Sequence, residues 1–208
     1  MKNNIRISPL EPCWIEDVAK IHFNSLPNDF LPMLGLDFLI NTFYPSVFSS
    51  SSGKVFVALN KFEKPVGFVL VTLKSNEFLK SILKNRFLDF LKIGISSSFN
   101  SLENLKNNFQ IVTSSIFSKN ILDVGEIYII AIKNSFRGKG IGKSLIKESM
   151  DLLKDNSISG IKIKTLSTNT GWIEHFSKEG WKLANNFQMI GKEYVNLIFY
   201  FDDISPSV

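Results

Sequence analysis

The sequence predicts one mixed α/β domain over residues 1–208, with a helical insertion between its third and fourth strands. Three observations carry this. Segments with an apolar period of two alternate with segments at helical spacing. A strong strand runs through a glycine-rich turn directly into a helix. A stretch over 74–123 carries helical stripes only. No repeat or low-complexity linker divides the chain.

Composition bounds the rest. The 208 residues are 44% hydrophobic and 21% charged, ordinary for a soluble globular protein. Nineteen Phe and a net charge of only +5 exclude disorder as the dominant state. The single cysteine, Cys13, excludes an internal disulfide framework and any Cys-cluster metal site. Two histidines, His22 and His175, argue against a His-rich zinc centre, and no metal is expected. Met1 to Arg6 lacks the apolar stretch of a secretory signal, so a reduced, cytoplasmic protein is expected.

The elements follow in order. Ile5-Arg6-Ile7 alternates like a short strand and stops at Ser8-Pro9. Ile15, Val18, Ala19, His22/Phe23 and Leu26 recur at helical spacing, and the helix ends near Pro27. A second helical pattern runs through Leu36, Leu39, Ile40, Phe43, Tyr44 and Val47. Lys54–Leu59 and Val66–Leu73 read as a strand pair around a turn at Asn60–Pro65. The latter strand is apolar on both faces, as a covered central strand is. In the insertion, one stripe joins Phe78, Leu79, Ile82, Leu83, Phe87, Phe90 and Leu91. Its expected role is to pack on the sheet; contact with a membrane surface is the alternative, because Lys80, Lys84, Arg86 and Lys92 lie on the polar face. Val124–Ile132 is a strand, Gly142–Asp155 a helix, and Ile161–Thr165 a half-exposed strand. A short helix over Gly171–Glu179 and two strands around Gly191-Lys192 complete the chain.

The turn between Ile132 and Gly142 is the most informative segment. Glycines that open a helix leave unpaired N–H groups at its N-terminus, which with the helix dipole attract anions. From Lys133 to Lys147 there are five basic residues and no acidic one. The stretch therefore equals the whole chain's excess charge. A Walker loop would need Gly where Arg137 stands, and a dinucleotide fingerprint lacks its third glycine from either Gly138 or Gly140. Arg137-Gly138-Lys139-Gly140-Ile141-Gly142 instead fits Arg/Gln-x-x-Gly-x-Gly/Ala.

With the strand ending Ile130-Ala131-Ile132 before it, and Asn169 to Gly180-Trp181 after it, the sequence resembles the GNAT superfamily of acyl-CoA-dependent N-acyltransferases. The resemblance covers nearly the whole chain except 74–123. It implies a sheet splayed between its fourth and fifth strands, holding acetyl-CoA as co-substrate. Ile130, Ala131 and Ile132 would run along the pantetheine arm, with backbone groups of Ile130 and Ile132 pairing to it. Amides from Arg137 or Gly138 through Lys139, Gly140, Ile141, Gly142 and Lys143 would hold the pyrophosphate. Asn169 would contact the cofactor near its pantetheine or phosphates.

Acylation of an amine needs its neutral form, and a nearby base supplies it. Glu126 stands where some family members carry a base glutamate, and partial burial there is expected to raise its carboxyl. The expected oxyanion donor is a backbone N–H near Ile132. Phe176 occupies the position of the family's usual tyrosine beside the leaving thiolate, without a phenol to donate. Tyr128, Tyr194 and His175 remain as proton donors. The resemblance implies N-acetyl transfer to a primary amine by direct attack in a ternary complex. A small-molecule amine or amino sugar is favoured over a protein acceptor, and no nucleic acid is expected. A non-catalytic acyl-CoA sensor, suggested by the missing phenol, is the rival.

Overall fold

The computed structural model describes residues 5–75, 77, 78, 80–82, 124–189 and 191–201. Most of the expected insertion over 74–123, and with it the membrane-contact reading, lies outside these residues. Residues 75, 77, 78 and 80–82 are helical, and Phe78 and Ile82 are buried.

Among the described residues, seven strands form one sheet in the order β1-β2-β3-β4-β5-β7-β6. They are β1 Arg6–Pro9, β2 Gly53–Leu59, β3 Pro65–Thr72, β4 Gly125–Ile132, β5 Gly160–Leu166, β6 Lys182–Met189 and β7 Lys192–Tyr200. All neighbours are antiparallel except β4 and β5, which run parallel. β1 ends at Pro9, at the expected stop; as an edge strand it pairs among the described residues with β2 alone, so the N–H that Pro9 lacks falls on the outer side. β3, apolar on both faces, is buried along its whole length.

Helices cover both faces of the sheet. On one lie α1 Ile15–Ser25, α2 Phe30–Met33, α3 Leu36–Phe38 and α4 Tyr44–Phe48. Their apolar sides join Val55, Val57, Leu59, Phe68, Leu70, Ile129 and Ala131 in a first core. A π-helical segment, Leu39–Phe43, separates α3 from α4. Pro45 has no N–H to return to the preceding turn, so the helix widens just before it. On the other face, α5 Ile141–Asp155 and α6 Thr170–Lys178 pack over a second core that contains Val69, Val71, Ile127, Ile161 and Ile163.

The decisive feature is in β4. Leu70 faces Ile129 and Val71 faces Ile127, so Tyr128 has no register partner on β3. This one-residue bulge shifts the strand's parity. Ile127 belongs to the second core, but Ile129 and Ala131 belong to the first. At the same point β4 leaves β5: their pairing covers only Gly125–Ile161, Glu126–Lys162 and Ile127–Ile163. Beyond it the two strands diverge as a fork.

Candidate active site

The inner edge of the fork is set by backbone alternation. The Lys133 N–H bonds to the Val66 carbonyl across β3, at 2.9 Å. In antiparallel strands, residues alternate between presenting both backbone groups to a neighbour and presenting both away from it. Ile132 and Ile130 therefore turn their N–H and C=O groups into the fork. The Ile132 carbonyl accepts a hydrogen bond there from Arg137 Nε at 3.2 Å. The Ile130 and Ile132 side chains pack on the second core, and Ala131 is buried in the first.

β4 leads through a 3-10 turn, Asn134–Phe136, into the glycine loop. Gly138 (φ +71°) and Gly140 (φ +78°) both take the left-handed conformation that L side chains resist. A Cβ at either would meet no atom within 4 Å, so the space above the loop is open. The first backbone bond of α5 runs from Ser144 N–H to Gly140 O at 3.1 Å. The amides of Ile141, Gly142 and Lys143 therefore lie in the helix's first turn, without intrahelical acceptors. No side chain caps this end. Arg137, Lys139 and Lys143 are exposed around it. Lys139 Nζ donates to Ser135 O at 2.9 Å, and Lys143 Nζ to Glu179 Oε1 at 2.9 Å. Ile141 is buried and anchors the helix start in the second core. The open αL glycines, the orphan amides and the surrounding cations suit a diphosphate.

Asn169 occupies the N-cap position of α6, and its Nδ2 donates to Thr165 Oγ1 at 3.1 Å. Phe176, 1% exposed, packs edge-on against Trp181 at 4.8 Å and beside Trp172 at 5.2 Å. Its ring builds the second core. His175 is an exposed residue 3.9 Å from Glu179. His22 is buried under α1 with its Nδ1 2.9 Å from the Tyr44 hydroxyl, and burial lowers it to about 4.

The environment of Glu126 corrects the sequence expectation. Burial by itself would raise this carboxyl, but Lys164 and Lys162, with hydrogen bonds from Lys164 and Ser75, hold it at about 2. Lys164 Nζ lies 2.7 Å and Lys162 Nζ 3.3 Å from its oxygens, and the Ser75 hydroxyl donates to Oε2. The expected upward shift is thus reversed. Ile161 and Ile163 face the second core, so the alternation of β5 puts both lysines on the face where Glu126 lies. A carboxylate this acidic is a poor acceptor for an ammonium proton.

Sequence reasoning missed Lys164 and the place of Tyr128. Tyr128 and Lys164 are the first residues beyond the last β4–β5 pair, and Lys164 Nζ lies 5.3 Å from the Tyr128 ring centre. The alternation Ile161-Lys162-Ile163-Lys164 already placed both lysines on one face; which face, and opposite what, was not in it. Burial raises the Tyr128 phenol against the lowering effect of Lys164, so it stays protonated.

The Acetyltransferase (GNAT) family model matches residues 22–181. The chain belongs to the GNAT family. It is an acyl-CoA-dependent N-acetyltransferase, and acetyl-CoA is its co-substrate. Among curated proteins none matches the sequence. The fold is similar to the ribosomal-protein-S18-alanine N-acetyltransferase from Escherichia coli, at 10% identity and TM-score 0.59, covering 98% of this chain and 96% of that one. Arabidopsis thaliana NAA60 in complex with acetyl-CoA is 12% identical, with TM-score 0.58 and coverage of 96% and 99%. The spermidine/spermine N-acetyltransferase SpeG from Vibrio cholerae is 12% identical, with TM-score 0.59 and coverage of 94% and 93%. These acceptors differ in kind, protein in one and polyamine in another, so the GNAT fold does not fix the acceptor. Among the described residues, no helix is long and apolar enough to cross a membrane.

Proposed function

We propose that this acetyltransferase moves the acetyl group of acetyl-CoA to the primary amine of a small molecule, by direct attack with both substrates in the fork. The carrying observation is that the fork is flanked on its two sides by different chemistry. The glycine loop and the start of α5 offer anion donors on the side of the second core. Tyr128 and Lys164 stand on the side of the first core. Bound there, acetyl-CoA supplies the activated thioester. The backbone groups of Ile130 and Ile132 hold the pantetheine arm as a further strand would. Arg137, Gly138, Lys139, Gly140, Ile141, Gly142 and Lys143 hold the diphosphate, and Asn169 orients the chain between them.

In this reading Glu126 fixes Lys164 at the fork and takes no proton. The nucleophile is the neutral fraction of the amine, which the Lys164 charge favours over the ammonium. Tyr128, protonated and beside the fork, is the proton donor that takes the place left by Phe176. With a donor present, the sensor reading loses the observation that motivated it.

Initial velocities of CoA release, measured against both substrates together, test the scheme. Intersecting double-reciprocal lines are expected; parallel lines would overturn direct attack. Calorimetry showing no acetyl-CoA binding at high micromolar protein would overturn the site itself.

A further inference from the structure

The side of the fork facing away from α5 has a definite charge pattern. Glu126 is turned inward with its side chain 2% exposed, whereas the Lys164 side chain is 30% exposed. Lys164 has three N–H donors, and Glu126 takes one direction of the three. Burial opposes the ammonium, but Glu126 more than offsets this and keeps it charged. Leu166 pairs with Tyr194 on β7, which places that phenol on the same face, stacked on Phe187 at 5.8 Å. Asn196, the register partner of Lys164, keeps Oδ1 buried without a hydrogen-bond partner among the described residues. Farther out, Asp29 and Lys192 act on each other with opposite charges near Tyr194. Inside that outer pair, a ligand beside the fork meets an ammonium and two phenols, with the Glu126 carboxylate turned inward behind them.

We propose that the acceptor is an amine that also carries a carboxylate, an α-amino acid or close analogue, and that Lys164 binds that carboxylate. The inference rests on the transferase reading. Because Lys164 is the first β5 residue past the last β4–β5 pair, its ligand lies next to the thioester. Only a carboxylate close to the reacting amine satisfies both positions, and an α-amino acid has that spacing. A polyamine would instead bring a second ammonium against Lys164, where like charges repel.

The test uses the full chain with saturating acetyl-CoA and follows thiol release. The α-amino acids are assayed beside the amines left by removing their carboxyl groups, with spermidine alongside. At least one amino acid should exceed its decarboxylated counterpart in kcat/KM by about 30-fold, the scale of a charge-assisted contact. Lys164→Met should bring that ratio to within about threefold, mainly by raising KM, while acetyl-CoA still binds. If Lys164→Met does not fold, the double variant Glu126→Gln with Lys164→Met removes the stranded carboxylate and should show the same loss. Preference for spermidine or the decarboxylated amines overturns the proposal. So does an unchanged ratio in the variants, or rejection of every amino acid by a protein that binds acetyl-CoA. A failure to bind acetyl-CoA would instead overturn the transferase reading beneath it.

Discussion

Replacing Glu126 by glutamine should cost stability in a way that depends on pH, and the size follows from the site. The carboxyl has an ordinary value of 4.5 and is held at about 2 in the fold. The difference, about 2.5 units at 1.36 kcal/mol each, makes about 3 kcal/mol of stability. Since the folded value lies below the unfolded one, this stability is whole above pH 4.5 and drains as pH falls toward 2. Linkage puts the loss at about 1 kcal/mol by pH 4 and about 2 kcal/mol by pH 3. Glutamine keeps the shape but cannot neutralise Lys162 and Lys164, 3.3 and 2.7 Å away. At pH 7 the variant should therefore be less stable by about 3 kcal/mol, or about 6–12 °C in Tm for a chain of this size. Urea unfolding of both proteins from pH 7 down to pH 3 measures the gap, which should narrow by the amounts above. Equal stabilities at pH 7, or a gap that stays constant with pH, would refute the reasoning.

Four further outcomes are expected. Gly140→Ala puts a Cβ at φ +78°, a cost of about 1–2 kcal/mol, and should weaken acetyl-CoA binding about tenfold by calorimetry; unchanged affinity would remove the loop from the diphosphate site. Lys143→Ala breaks an exposed pair with Glu179 worth under about 1 kcal/mol, so Tm should hardly move while acetyl-CoA affinity falls and depends less on salt. Tyr44→Phe leaves the His22 nitrogen without its buried partner, a cost of about 1–3 kcal/mol in urea unfolding. His22, lowered by burial to about 4 from 6.5, contributes stability that is whole above pH 6.5 and drains toward pH 4, a component that His22→Leu should abolish.

The elements were legible because their signals are local. Val18, Ala19 and His22 repeat at helical spacing and are buried together in α1. The Arg137–Gly142 motif was legible for the same reason, since a loop, two left-handed glycines and a helix start are all set by neighbours in sequence. What was not legible depended on pairing between distant residues. Glu126 meets Lys162 only because β4 and β5 adopt one particular parallel register. Burial of Glu126 was expected, but without its two cations the sign of its shift came out reversed. The short α2, Phe30–Met33, has too few residues to show a period. The bulge at Tyr128 was hidden by composition. Ile127-Tyr128-Ile129-Ile130-Ala131-Ile132 is apolar throughout, so it has no alternation for an extra residue to break.

That extra residue ties the fold to the chemistry. Up to Ile127, β4 satisfies β3 on one side and β5 on the other. Tyr128 then consumes one residue of β4 without a partner on β3, while pairing to β3 resumes at Ile129. Staying in register with β3 is favoured, because four more pairs and the buried side chains of Ile129 and Ala131 lie on that side. The pairing with β5 ends, and β5 remains satisfied by β7 through Leu166. The backbone groups of Ile130 and Ile132 are thereby left facing an open fork in a region otherwise covered on both faces. Arg137 Nε meets the Ile132 carbonyl; strand groups left over in such a place are costly unless a ligand or water meets them, which in the proposed reading gives acetyl-CoA a hydrogen-bonding edge without any dedicated side chain. Ordinary alternation through Ile127 keeps Tyr128 on the side of Glu126 and Lys164. One inserted residue thus opens the edge that the proposed reading gives to the cofactor, next to the polar groups that it gives to the acceptor.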